Sequence, residues 1–195
     1  PIVLDADALN QLVGHDEVLQ TAAQRGHALV LTPHPGEAAR LLRSRVADIQ
    51  ADRVAAAQEL CRRTGAVILL KGARTVICAP PNLVIGDVPP LSICPSGNDG
   101  MGTGGMGDVL TGILGALLTA GWPAYDAACA AAYLHGRAAD RLRQDRAPGA
   151  LLLASDVIDA LDATRRQLVL DSALGLSKLP ALWPVRPLLD LGRTA

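Results

Sequence analysis

The stretch Gly100–Gly112, "GMGTGGMGDVLTG", holds six glycines in thirteen residues and one carboxylate, Asp108, where the glycines stop. Three readings compete for it. Gly102-x-Gly104-x-x-Gly107 matches the spacing of a dinucleotide-binding fingerprint. The same loop suits a phosphate cradle in a kinase-like enzyme, or a flexible turn. The fingerprint needs a strand immediately before it, a helix after it and an acid about 20 residues on. The helix is predicted, from "DVLTGILGALLTAG". The preceding "PSGNDG" reads as a turn, and Asp126 falls at the start of the next predicted helix. Asp108 would also repel a pyrophosphate seated on that helix N-terminus. The cradle reading uses the same acid. The N–H groups of Gly104, Gly105 and Gly107 with the free amides of the helix start make a nest for an anion. A carboxylate beside it can take a proton from a hydroxyl while the nest holds a phosphoryl group. Without the loop, Asp108 would pass for an ordinary first-turn acid.

Outward from the loop, "PIVLDAD" reads as a buried strand with an acidic tip, followed by a short helix, "ALNQLVG". "HALVLTP" is a second strand stopped by Pro33, and "GEAARLLRS" opens a helix. "DIQADRVAAAQELCRRTG" predicts one long amphipathic helix ending at Gly65. "AVILLKG" is a continuous apolar strand of a sheet covered on both faces. "TVICAP" and "NLVIGD" follow at the close spacing of antiparallel edge strands, and "LSICPSGNDG" leads into the loop. "AYDAACAAAYLHGRAADRLRQD" is an Ala-rich helix. "LLASDVIDALDAT" is a last short one with Ser155 or Asp156 as its cap. Strands alternating with helices predict an α/β layered fold with a mostly parallel sheet.

Half of the 195 residues are hydrophobic and 19% are charged, as a globular core requires. Aromatics are 2%, and phenylalanine is absent, which argues against base-stacking modes of nucleic-acid binding. A net charge of −1 without basic runs gives neither nucleic acid nor an anionic membrane a handle. Neither a signal peptide nor an apolar run of transmembrane length is present, so the expected location is the cytoplasm. Cys61, Cys78, Cys94 and Cys129 show no metal-ligand spacing and read as small buried thiols. Lys71 and Lys178 are the only lysines among 18 basic residues, and Lys71 ends an apolar strand beside Gly72. There it faces a phosphate or merely solvent.

Four segments together carry a resemblance. "GMGTGGMGDVLTGILGALLTAG", "TPHPGEAARLL" (Thr32–Leu42), "LLKGARTVI" (Leu69–Ile77) and "VLDADALN" (Val3–Asn10) are similar to signatures of the NAD(P)H-hydrate dehydratases, in family order. "YLHGRAAD" and "LLASDVIDAL" resemble the family's closing helices. The resemblance covers residues 1–163. It implies a ribokinase-like three-layer fold and use of ADP (or ATP) with Mg²⁺. The substrate would be the 6S epimer of hydrated NADH or NADPH, returned as NAD(P)H with AMP and phosphate. It also implies Asp108 as the base that activates the substrate hydroxyl, with Gly104, Gly105 and Gly107 as the anion hole. His34 would contact the hydrated dinucleotide, and Glu37 would organise Mg²⁺ through water. Lys71, Gly72, Ala73, Arg74 and Thr75 would border the nucleotide together with Gly104 and Gly107. Asn98 would donate to phosphate or only make the turn.

Asp5 and Asp7 stand at the carboxyl end of a strand, where ligands of α/β sheets gather. Asn10 reads as a cap, and His135 as a packed helix histidine rather than a catalyst. The family usually has alanine where Gly102 stands, so the apparent fingerprint is read as accidental. The extra glycine should loosen the loop by roughly 0.5–1 kcal/mol. The family's domain normally starts before "VLDADALN", so the chain is expected to be incomplete at its start. A fused upstream epimerase domain and a homo-oligomeric state are further expectations. Residues 164–195, proline-bearing and without clean periodicity, read as an extension or poorly ordered tail. Two other functions stay open: a small-molecule kinase of the same fold, and an inactive nucleotide-binding remnant.

Overall fold

A computed structural model describes residues 1–80, 82, 83, 90–144, 146, 147 and 149–173. Its core is a five-stranded sheet in the order β1 (Ile2–Leu4), β2 (Leu29–Leu31), β3 (Val67–Leu70), β4 (Val76–Cys78) and β5 (Leu91–Ile93). β1, β2 and β3 are parallel, whereas β3, β4 and β5 are antiparallel. The sheet is therefore mixed; β4 falls on the predicted strand "TVICAP" but lies inside the sheet, and its antiparallel neighbour β5 is "LSI".

Strand periodicity sends neighbouring side chains to opposite faces, and both faces are covered. Val30, Val67, Leu69 and Ile77 pack with Leu110, Leu114 and the alanines of α7 (Ala124–Gln144). Leu29, Leu31, Ile68 and Leu70 pack on the other side with Leu9, Leu41, Ala57 and Leu60. That second layer comprises α1 (Ala6–Gln11), α2 (Asp16–Gln24), α3 (Pro35–Leu42), α4 (Val46–Ala51) and α5 (Arg53–Thr64). The first comprises α6 (Met106–Thr119), α7 and α8 (Ala154–Ala173), joined by Met106, Val109, Ala138, Leu152 and Val157. Small side chains suit this arrangement: ten consecutive positions, Ala127–Gly136, are buried along α7.

Several boundaries differ from the sequence reading. The predicted long helix is two. The backbone breaks at Asp52 (φ −146°, ψ 88°), whose carboxylate accepts the Ala55 N–H at 2.8 Å and caps α5. The sequence reading assigns no element to α2. It is anchored by Leu19 beneath and by an ion pair of Asp16 with Arg63 of α5. "LSI", taken as a lead-in, is a strand. α8 starts at Ala154, so Ser155 and Asp156 are not its cap. Asp156 instead accepts the Leu153 N–H at 3.0 Å from within the first turn. α8 continues past residue 163 to Ala173. Residues 174–195, and most of the expected strand "NLVIGD", lie outside the described residues. The four cysteines are buried and free.

Candidate functional site

At the carboxyl end of β3 the chain leaves the sheet through Lys71–Thr75, and this loop forms one wall of a cavity of about 740 Å³. His34 and Pro35 at the start of α3, Ser96–Asp99, Gly107 and Leu110 of α6, and His135 and Gly136 of α7 complete much of the rest. Five segments of the chain thus meet on one hollow, at the strand ends where α/β sheets bind ligands.

The floor beside the cavity is an ionic cluster. Lys71 Nζ lies 2.5 Å from Asp5 Oδ1 and 3.8 Å from Glu37 Oε2. Asp5 Oδ2 accepts the Thr111 hydroxyl at 3.1 Å, so the tip of β1 joins α6 to the end of β3. Burial alone would push the Asp5 carboxyl up. The hydrogen bond and charge of Lys71, the Ala6 N–H and the Thr32 hydroxyl outweigh it and hold Asp5 below the usual carboxylate range. A side chain at Gly107 would stand against this cluster, its Cβ 3.5 Å from Asp5 Oδ2 and 3.6 Å from Lys71 Nζ. Glycine at 107 keeps that approach open. The Lys71 charge is shared with two carboxylates, so Lys71 is not the unpaired phosphate cation that its sequence position suggests.

His34 and Glu37 hold each other. His34 Nδ1 accepts the N–H groups of Gly36 (2.9 Å) and Glu37 (3.3 Å), and Glu37 Oε2 accepts the His34 N–H at 2.7 Å. This is a capping box with an imidazole as the cap, and Pro35 stands at the first helical position. With Nδ1 accepting, the ring proton is assigned to Nε2, which faces Glu37 Oε1 at 3.4 Å. Half of the imidazole surface is open to the cavity side. Glu37 is 5% exposed.

The glycine loop divides. Gly105 (φ +84°) is the left-handed N-cap of α6, and Gly104, Gly105 and Asp108 are exposed. Gly107 and Gly102 line the cavity wall, whereas Gly104, Gly105 and Asp108 do not. The left-handed turn at Gly105 sets the first amides of α6 at the rim, and the helical twist carries Asp108 one residue past Gly107. β5 ends at Ile93, well before Gly102, so the loop lacks the strand a dinucleotide fingerprint requires.

Asn98 makes the turn. Its Oδ1 accepts the Gly100 N–H at 3.0 Å, and its Nδ2 donates to Asp140 Oδ1 at 3.1 Å. Asp140 Oδ2 also accepts the Gly97 N–H at 3.0 Å. The side chain makes the turn with its oxygen and one amide proton, and the second proton of its NH2 is left over where the residue lines the wall. Asp7 is exposed on α1 and accepts from Asn10 at 3.3 Å, away from the cavity. His135 is buried, and desolvation lowers its pKa to about 4, so it is neutral at pH 7. It packs in the helix as the sequence reading expects, and it also borders the cavity.

Sequence reasoning passes over Thr111, Asp140 and Arg53. The first two sit on helices at positions that periodicity leaves polar without a stated partner. Their partners, Asp5 and Gly97–Asn98, are 106 and over 40 residues away. Among the described residues no group of three or more His, Cys, Asp or Glu side chains is arranged to hold a metal ion. No described helix is long and apolar enough to cross a membrane.

The chain resembles known proteins over most of its length. An ADP-dependent (S)-NAD(P)H-hydrate dehydratase of Neisseria meningitidis is 44% identical over 160 residues, covering 82% of this chain and 51% of that protein. The bifunctional NAD(P)H-hydrate repair enzyme Nnr of Escherichia coli is 49% identical over 142 residues, covering 73% of this chain and 25% of that protein. The Bacillus subtilis ADP/ATP-dependent NAD(P)H-hydrate dehydratase, co-crystallized with ATP/Mg²⁺, superposes with a TM-score of 0.69 at 32% identity. That match covers 86% of this chain and 55% of that one. A ribokinase-like superfamily protein from Enterococcus faecalis shares the fold, with a TM-score of 0.58 at 24% identity over 84% of this chain and 52% of that one. The three-layer fold is therefore ribokinase-like. The chain spans about half, or less, of the length of the relatives it matches. The NAD(P)H-hydrate dehydratase family model matches residues 1–162, and the chain belongs to that family.

Proposed function

We propose that the chain dehydrates the 6S epimer of hydrated NADH or NADPH, using ADP as phosphoryl donor and releasing NAD(P)H, AMP and phosphate. The observation that carries this reading is the convergence of the His34, Lys71–Thr75 and Gly107 segments on one cavity. The names of the relatives support the reaction, and the ATP/Mg²⁺ of the Bacillus subtilis structure supports the nucleotide and its cation.

The roles are those the family resemblance implies, set on this geometry. The Lys71–Thr75 wall borders the phosphates of ADP. Gly107 and the first amides of α6 face the transferring phosphoryl group, where the positive end of the helix dipole stabilises developing negative charge. Asp108, one residue beyond Gly107 and exposed, takes the proton from the hydroxyl of the hydrated ring as its oxygen attacks phosphorus. The new O–P bond forms as the bond to the AMP leaving group breaks; the phosphorylated oxygen then leaves its ring carbon as phosphate while the adjacent ring carbon gives up a proton to solvent, and the C=C so formed restores the reduced ring. His34 contacts the dinucleotide from the opposite rim through its exposed imidazole. Gly104 and Gly105 shape the anion hole by setting the start of α6, and Asn98 holds the wall.

Mg²⁺ keeps several waters and needs only one or two carboxylates besides phosphate oxygens. Glu37 fits such a role through water, because its own oxygens are occupied by His34 and Lys71. When bound, Mg²⁺ would neutralise charge on the phosphates. The test is to incubate hydrated NADH with ADP and Mg²⁺ and to follow reduced-nicotinamide absorbance. Recovery that disappears in Asp108→Asn supports the reading. Phosphorylation of a vitamin alcohol without nicotinamide recovery would transfer the site to a small-molecule kinase.

A further inference from the structure

Arg53 opens α5 on the side of the Lys71–Thr75 loop away from the cavity, and it is not among the cavity's lining residues. Its guanidinium is given over to main-chain carbonyls. Nη1 donates to Ala73 O at 2.5 Å, and Nη2 donates to Leu70 O at 2.9 Å and Lys71 O at 3.1 Å. It lies directly behind Gly72, whose Cβ, if present, would be 3.0 Å from Nη2. Gly72 has φ +140° and Arg74 has φ +59°, conformations that side-chain-bearing residues rarely adopt. Among the described residues no carboxylate forms an ion pair with Arg53. Its whole charge therefore sits, unneutralised and half-buried, beneath a ligand wall.

A trans peptide points its C=O and the following N–H in opposite directions. Carbonyls of Lys71 and Ala73 turned back onto Arg53 send the N–H groups of Gly72 and Arg74 the other way. Both residues line the cavity, and neither N–H meets an acceptor among the described residues. We infer that Arg53 is a positioning residue that, from behind the wall, aims the Gly72 and Arg74 amides at the phosphates of a bound nucleoside diphosphate. The arrangement works in two ways. It fixes two donors before the ligand arrives, and it adds a positive charge that no acid cancels. The inference rests on the nucleotide reading of this cavity given above, and it assigns the phosphate recognition to backbone amides rather than to the ion-paired Lys71.

The test compares ADP with adenosine, which lacks the phosphates, by titration calorimetry on the wild-type chain and on Arg53→Met and Arg53→Lys. The expected result is ADP binding about tenfold weaker in Arg53→Met, with adenosine within about twofold of wild type and ADP affinity partly restored in Arg53→Lys. A merely structural role for Arg53 would weaken both ligands together, and that result overturns the inference. So does unchanged ADP affinity in folded Arg53→Met. Should that variant not fold, amide NMR of the wild-type chain decides. ADP, but not adenosine, should shift the Gly72 and Arg74 resonances, and unmoved resonances overturn the inference. A wild-type chain that binds ADP in this way yet regenerates no reduced nicotinamide refutes the proposed reaction and leaves Arg53's role standing. One that binds no ADP overturns both.

Discussion

Asp108 occupies the first turn of α6, where the helix dipole lowers the cost of its negative charge, and its side chain has no hydrogen-bond or ion-pair partner among the described residues. A carboxylate without a partner has no contact to lose, so under the proposed reaction its removal should be felt in chemistry rather than in stability. Asp108→Asn should cut kcat by at least about a hundredfold while changing melting temperature and ADP affinity little. Steady-state kinetics beside thermal unfolding checks both. Asp5 is the opposite case. Its pKa is depressed in the folded chain, so the stabilisation it gives is fully present above the ordinary carboxylate value near 3.9 and is lost as pH falls through the lower folded value. Asp5→Asn should cost on the order of 2–3 kcal/mol at pH 7 by leaving Lys71 one carboxylate fewer. The gap from wild type should narrow below about pH 4 in thermal melts. Asp108 stands out in the sequence because its neighbours are glycines. The anchoring role of Asp5 does not, since Lys71, Thr111 and Thr32 come from three distant elements.

At the scale of elements, α7 carries the second wall. The Ser96–Asn98 turn lies directly on Gly136: a Cβ there would come 2.6 Å from Ser96 C and 2.8 Å from Gly97 N. Ser96 Oγ donates to Tyr133 O at 3.0 Å, and Asp140 holds the Gly97 N–H, so the turn is fastened along two turns of helix. Gly136→Ala should therefore displace the turn, lower stability by about 1–3 kcal/mol and weaken ADP binding, measured by melting and calorimetry. His135, one residue earlier, is buried neutral with its pKa near 4. An unfolded histidine takes its proton near pH 6.5, so the wild type should lose stability as pH falls from about 6.5 to 4, by up to about 3 kcal/mol. His135→Gln should lack most of that slope in pH-dependent melts, whatever its stability at pH 7. Long periodic segments such as α6 and α7 could be read from sequence because burial along one face dictates their composition. The split of α4 from α5 could not: Asp52 fits a helix interior by pattern, and only its capping of Ala55 reveals the break. α2 carries one buried side chain, Leu19, too weak an apolar signal for periodicity to detect.

At the scale of the whole molecule, the two helical layers and the sheet leave a hollow of about 740 Å³ where Lys71–Thr75, His34, Gly97–Asn98 and the start of α6 come together. The order of the motifs along the chain was plain in the sequence, but their convergence depends on the parallel register of β1, β2 and β3. That register sets Asp5 and Lys71 at the same end of the sheet on either side of β2, within ion-pair reach. The mixed character of the sheet was legible only in part, because β5 is three residues long and lies inside a loop-like stretch. If the cavity is a nucleotide site, ADP at a hundred times its dissociation constant should stabilise the chain by about 2.7 kcal/mol. The most direct test of the account is the reaction itself: hydrated NADH, ADP and Mg²⁺ with the wild-type chain and with Asp108→Asn. The account predicts recovery of reduced-nicotinamide absorbance with AMP formed in equal amount, and none with the variant. ADP binding with no recovery by the wild-type chain would contradict it.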